Sequence, residues 1–192
     1  MVKKLYSTMD FPLKTRLALF FDNIIHKPIK DSVLGVNDNK TSISQVLFIL
    51  PEEINYSRVA RIFIQSIQNA LGPDPEMNIS YALSKSSLVS YEGLIQNPLI
   101  LFSTENINYW ELPNDELINE CKKLDFHAVI DLNPDFNPFA STLIKHIKAN
   151  IKIGYYSKYA EKYYNIIIER KETDFLEKGN SYILQLLSLI HI

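Results

Sequence analysis

Residues 126–153 read FHAVIDLNPDFNPFASTLIKHIKANIKI, and this stretch decides the fold class. Ala128-Val129-Ile130-Asp131-Leu132 is an unbroken apolar run ending in an acid, the pattern of a parallel strand covered on both faces. Asn137-Pro138 then opens a helix: Asn accepts an otherwise orphaned N–H, and Pro at the first helical position gives up no needed donor. Phe139, Leu143, Ile144 and Ile147 form its apolar face, and Ile151-Lys152-Ile153 is a short second strand before Gly154.

The same alternation runs outward in both directions. Val46-Leu47-Phe48-Ile49-Leu50 is a second doubly buried strand, followed after Pro51 by a helix of about five turns with Val59, Ile62, Phe63, Ile67 and Leu71 as its stripe and Gly72-Pro73 as its stop. Further strands are expected at Met77 to Leu83, Leu99 to Phe102 and Tyr163 to Ile168, and further helices at Asn114 to Lys123 and after Asp174, where Glu177 completes a cap. From Asp10 to Lys27, Leu13, Leu17, Phe20, Phe21 and Ile24 share one side of an N-terminal helix that Pro28 ends and a polar stretch follows. Strands alternating with helices predict an α/β, Rossmann-like three-layer sandwich on a mostly parallel sheet, with residues 1–43 an appended helix and linker and 44–192 one domain.

Composition narrows the function classes. A chain of 192 residues buries roughly 70% of its unfolded surface as one domain. Its net charge of −2 disfavours phosphate-backbone binding, so no nucleic-acid partner is expected. A single cysteine, Cys121, points to a reducing compartment. Asp10, Pro12, Lys14 and Arg16 interrupt the N-terminal apolar residues, so neither a signal peptide nor an integral membrane segment is expected. The five glycines, Gly35, Gly72, Gly93, Gly154 and Gly179, make no dinucleotide or P-loop fingerprint, and no cofactor is expected. There is also no nucleophile elbow, and the four histidines are scattered. His127, before a buried strand, reads as a structural hydrogen-bonding residue.

In such sheets ligands bind beyond the carboxyl ends of the strands. Four loops qualify: Pro51 to Ser57, Ser103 to Glu105, Asp131 to Asp135, and Gly154 to Lys158. Asp131, Asn133 and Asp135 suit a hard cation or an acceptor hydroxyl, and equally a turn leading into a helix. Glu52 and Glu53 complement a helix start. Tyr155 and Tyr156, interleaved with Lys152 and Lys158, suit stacking on sugars or bases, or a half-exposed edge.

The segment from Phe126 to Ile168, with its strand ending in Asp131 and its Ile153-Gly154-Tyr155 turn, resembles the N-terminal domain of the heptosyltransferase-like glycosyltransferases. A fainter likeness extends back to Val46. A second resemblance, in size, N-terminal helix and the Lys152-Ile153-Gly154-Tyr155 turn, is to small bacterial proteins that look like half of such an enzyme. The resemblance implies a crevice for a sugar or glycan, with Glu53, Asn55, Tyr56, Ser103, Asp131, Asn133, Asp135, Tyr155 and Tyr156 around it. That family carries a glycine-aspartate pair after its first strand, the aspartate acting as base; here Glu53-Ile54-Asn55 stands instead, leaving Glu53 as the candidate base. The family's donor domain has no expected counterpart before the terminal helix. The function implied is ligand, glycan or partner binding without autonomous transfer, in the cytoplasm. Alternatives are an acceptor-binding subunit of a two-chain transferase, and an interaction module that uses the Phe20-Phe21 helix for a protein partner, a homodimer or the inner-membrane surface.

Overall fold

A computed structural model describes residues 11–25, 44–71, 77–170 and 174–190. The expected stops at Pro28 and Gly72-Pro73, and the polar stretch before Ser44, lie outside the described residues. The elements run α1 (Leu13–Ile25), β1 (Gln45–Ile49), α2 (Ile54–Leu71), β2 (Asn78–Ser84), β3 (Ile100–Phe102), α3 (Asp115–Cys121), β4 (Asp125–Asp131), α4 (Pro138–His146), β5 (Lys148–Tyr155), β6 (Ile166–Ile168) and α5 (Leu176–Ile190), with short 3-10 turns between some of them. This is the expected order of helices and strands.

The six strands form one sheet in the order β3-β2-β1-β4-β5-β6, and every pairing is parallel. The fold is therefore an α/β, Rossmann-like sandwich. Strand parity sorts the core into two layers. Val46, Phe48, Ala128, Ile130, Ile151 and Ile153 face Ile64 and Ile67 of α2 and Ile183 and Leu187 of α5. Leu47, Ile49 and Val129 face Leu19 of α1, Leu117 of α3, and Leu143 and Ile144 of α4. β1 is buried at four of its five positions, which explains why its sequence shows no alternation.

Local chemistry places the elements as well. Asn137 Oδ1 accepts the Ala140 N–H at 3.0 Å with Pro138 at the first helical position, and Asn114 Oδ1 caps α3 through the Leu117 N–H at 3.0 Å. His127 Nδ1 accepts from the backbone of Ser44 and Gln45, both at 3.2 Å, fixing the entry to β1. Among the described residues no helix is long and apolar enough to cross a membrane.

Three expectations are corrected. The stripe of α2 is rotated: Ile62 is exposed, and Ala60, Phe63, Ile64 and Ile67 are buried, because α2 packs on both β1 and α5. The α1 stripe expected to pack is turned outward, with Leu13, Leu17, Phe20 and Phe21 exposed, while Thr15 and Leu19 are buried. β5 is longer than expected, and Gly154 and Tyr155 belong to the strand. The residue after Ile153 must be small: a Cβ on Gly154 would sit 2.5 Å from the Tyr164 ring. Gly154→Ala is expected to cost about 1–3 kcal/mol by overpacking, read as a lowered urea midpoint at unchanged m-value.

Candidate functional site

The crossover from β1 leads to β2 on one side and that from β4 leads to β5 on the other, so the loops after these adjacent strands diverge. A crevice opens between them. Its larger chamber, about 410 Å³, is bounded by Glu52 after β1, Ser84 to Ser86 after β2, Phe102 to Thr104 after β3, and Asn133, Asn137 and Phe139 around the start of α4. A smaller chamber of about 330 Å³ shares Glu52, Glu111, Asn133, Asn137 and Phe139 with it and continues to Glu53, Tyr56, Asp135 and Phe11.

Specific bonds hold the walls. Ser86 Oγ donates to Glu52 Oε1 and shares a hydrogen bond of 2.7 Å with Ser84 Oγ, joining the ends of β1 and β2. Tyr56 Oη donates to Asp135 Oδ2 at 2.7 Å, tying the first turn of α2 to the loop after β4. That bond, with burial second, pushes the Tyr56 phenol up to about 12. Glu111, at φ +63°, accepts from Lys14 Nζ at 2.8 Å and Thr15 Oγ1 at 3.1 Å, stapling its loop to α1. These two bonds hold its carboxyl below the usual range. Ser103 donates its N–H to Asn106 Oδ1 at 2.9 Å, while its Oγ is shielded from solvent with no partner among the described residues.

The sequence-predicted residues divide into two sets. Glu53, Tyr56, Ser103, Asn133 and Asp135 line the crevice. Asn55 is exposed on the first turn of α2, its amide 3.5 Å from Glu53 Oε1. Tyr155 is buried and donates to Asn180 Oδ1 of α5 at 2.6 Å, and Tyr156 is exposed beyond the end of β5. Asp131 is 1% exposed. Its Oδ1 accepts from the backbone and side chain of Asn133 at 2.9 and 2.6 Å, and its Oδ2 accepts from Tyr164 Oη at 2.7 Å. It thus orients Asn133 from beneath the chamber floor. The loop Pro51 to Ser57 brings Glu52 with it, whereas sequence reasoning does not place Ser84, Ser86, Glu111, Asn137 and Phe139 in the site. Ser84 ends β2 and was within reach of the strand-end rule, whereas Glu111 reaches the site only through α1.

Among the described residues, four carboxylates and one ammonium line the two chambers: Glu52, Glu53, Glu111 and Asp135, against Lys85. Among the described residues no group of three or more His, Cys, Asp or Glu side chains is placed to hold a metal ion. The lining suits hydroxyl-rich or cationic ligands and repels phosphate, most strongly after β1, where Glu52 and Glu53 stand where a dinucleotide fold brings a glycine-rich turn.

Burial raises the Asp131 carboxyl to about 6, against its three accepted hydrogen bonds. A carboxyl that keeps its proton longer when folded contributes stability that is full below 3.8 and lost as pH rises through about 6. Asp131→Asn removes that dependence. Its unfolding free energy relative to the wild type is expected to rise by roughly 2 kcal/mol between pH 4 and pH 7, measured by urea titration at each pH.

With this geometry in place, comparison with known proteins gives the following. The chain belongs to a family of unknown function, DUF6913, whose model matches residues 19–189. No curated protein matches it in sequence. In structure it is similar to the E. coli heptosyltransferase WaaC with ADP, at a TM-score of 0.52 and 11% identity, over 74% of this chain and 47% of that one. The likeness is one of fold, and the chain spans about half the length of that protein.

Proposed function

We propose that the crevice binds a sugar or glycan, in a protein that does not itself transfer one. The observation that carries this is the lining of the larger chamber. Ser84, Ser86, Ser103, Thr104, Asn133 and Asn137 offer donors and acceptors around an apolar wall of Phe102 and Phe139, whose ring centroids are 4.7 Å apart. Hydroxyl-rich rings need both: paired polar partners for their edges and an apolar surface for their C–H faces. The Ser103 hydroxyl, with no partner among the described residues, is the kind of atom a ligand hydroxyl satisfies.

The case against autonomous transfer is electrostatic and chemical. A nucleotide donor brings phosphates, and four carboxylates in the lining oppose them. Where the resembling transferases keep a glycine-aspartate pair, Glu53-Ile54-Asn55 stands instead; the Asn55 carboxamide takes no proton, which leaves Glu53 as the candidate base. A second reading, an acceptor-binding subunit completed by another chain, draws on the coverage of 47% of the heptosyltransferase. In that case Glu53 and Asn133 form the acceptor side, with buried Asp131 holding Asn133 from below. A protein partner or a homodimer remains the third class.

Thermal unfolding tests whether the crevice binds a sugar. Hexose- and heptose-containing oligosaccharides near 100 times their dissociation constant should add about 2.7 kcal/mol, while ADP and nucleotide sugars add nothing. Ser103→Ala is expected to weaken sugar binding about tenfold, roughly 1.4 kcal/mol, and to leave the melting of the free protein unchanged. A shift with ADP and none with any sugar contradicts the proposal.

A further inference from the structure

Helix α1 carries two apolar faces, and the sheet uses only one. At about 100° per residue, Phe11, Thr15, Ala18 and Leu19 fall on one side. Thr15 and Leu19 are buried there, and Phe11 packs 5.9 Å from the ring of Phe136. Leu13, Leu17, Phe20 and Phe21 occupy an arc of about 100° on the opposite side. They are 71, 43, 59 and 57% exposed. A surface helix normally turns polar residues outward, so this arrangement inverts the usual pattern.

The stripe does not stand alone. Glu111 bonds to Lys14 and Thr15, and Lys14 Nζ lies 5.5 Å from the centroid of the Tyr109 ring, which brings the loop of exposed Tyr109 and Trp110 alongside α1. The two rings meet edge to face at 5.4 Å. Lys14 and Arg16 sit at the two margins of the stripe; Lys14 is held by Glu111, while exposed Arg16 is a long basic side chain that can reach past an apolar face to anionic groups.

We infer that α1 and the Tyr109-Trp110 loop dock onto an anionic lipid bilayer. Charge selects this occupant. The first 30 residues hold six Lys and Arg and two Asp, a net +4, whereas the whole chain is −2. A second copy docking through the same face would oppose two such segments, while an anionic surface attracts them. Leu and Phe on the apolar face, aromatic residues beside it and basic residues at its margins are the composition of an element lying in the membrane interface. Thirteen helical residues give a stripe about 20 Å long, suited to lying along the surface. The contact is independent of what the crevice binds.

The chain has one tryptophan, Trp110, and it stands in the proposed contact. Mixed with vesicles of equal parts phosphatidylglycerol and phosphatidylcholine, the full chain is expected to co-sediment and its tryptophan emission to shift to the blue. Binding to pure phosphatidylcholine should be at least tenfold weaker. The double variant Phe20→Ser, Phe21→Ser and the single variant Arg16→Glu should each lose tenfold or more on the anionic vesicles, with unchanged circular dichroism and melting, since all three positions are exposed. No binding of the wild type to anionic vesicles overturns the inference, as does binding that the double variant leaves intact. A dimer by sedimentation equilibrium that the same variants dissociate, without vesicle binding, assigns the face to a second copy and overturns it equally.

Discussion

The pairing of β1 with β4 is the constraint from which the rest of the molecule follows. Both strands are buried on both faces, so each needs a helical layer above and below, and only parallel strands with crossovers supply two such layers. Once Val46 to Ile49 lie in register with Ala128 to Asp131, the chain must leave β1 towards β2 and β4 towards β5. Their following loops cannot pack on each other. The crevice is thus the unavoidable result of how the sheet is ordered, and its lining is whatever the strand ends present.

What they present is held by bonds that cross between elements. Tyr164 binds Asp131 from 33 residues away and shares a 2.9 Å hydrogen bond with Ser141 Oγ of α4, so the floor of the site is locked to the helix above it. The same ring explains the glycine in β5: Gly154 is the space Tyr164 fills. Tyr56 with Asp135 and Glu52 with Ser86 close the walls. Among the described residues the wall carboxylates outnumber the cations beside them, Lys14 at Glu111 and Lys85, and that excess disfavours phosphate there.

The order of elements is legible in the sequence because it rests on local signals. Runs such as Val46 to Leu50 and caps such as Asn137-Pro138 act within a few residues. Burial registers on a helix are less legible: Ile62 and Ile64 are equally apolar, and only the approach of α5 decides that Ile64 goes inside. The inverted face of α1 is hidden for the same reason, since Thr15 is the less apolar residue and is buried because Glu111 waits for its hydroxyl. Asp131 at a strand end looked like a ligand contact, and nothing near it in the chain announces Tyr164. Much of the crevice lining comes from residues that no motif marks: Ser84 and Ser86 arrive through the order of the sheet, and Glu111 through its bonds to α1.

The central proposal is that the polar, acid-lined hollow at the β1–β4 divide receives a hydroxyl-rich ligand. Backbone amide chemical-shift mapping during titration with a heptose- or hexose-containing oligosaccharide tests this most directly. The account predicts saturable shifts concentrated at residues 52–56, 84–86, 103–104 and 133–139. Shifts confined to the β6 and α5 edge, or none anywhere at millimolar sugar while ADP moves those same amides, would contradict it.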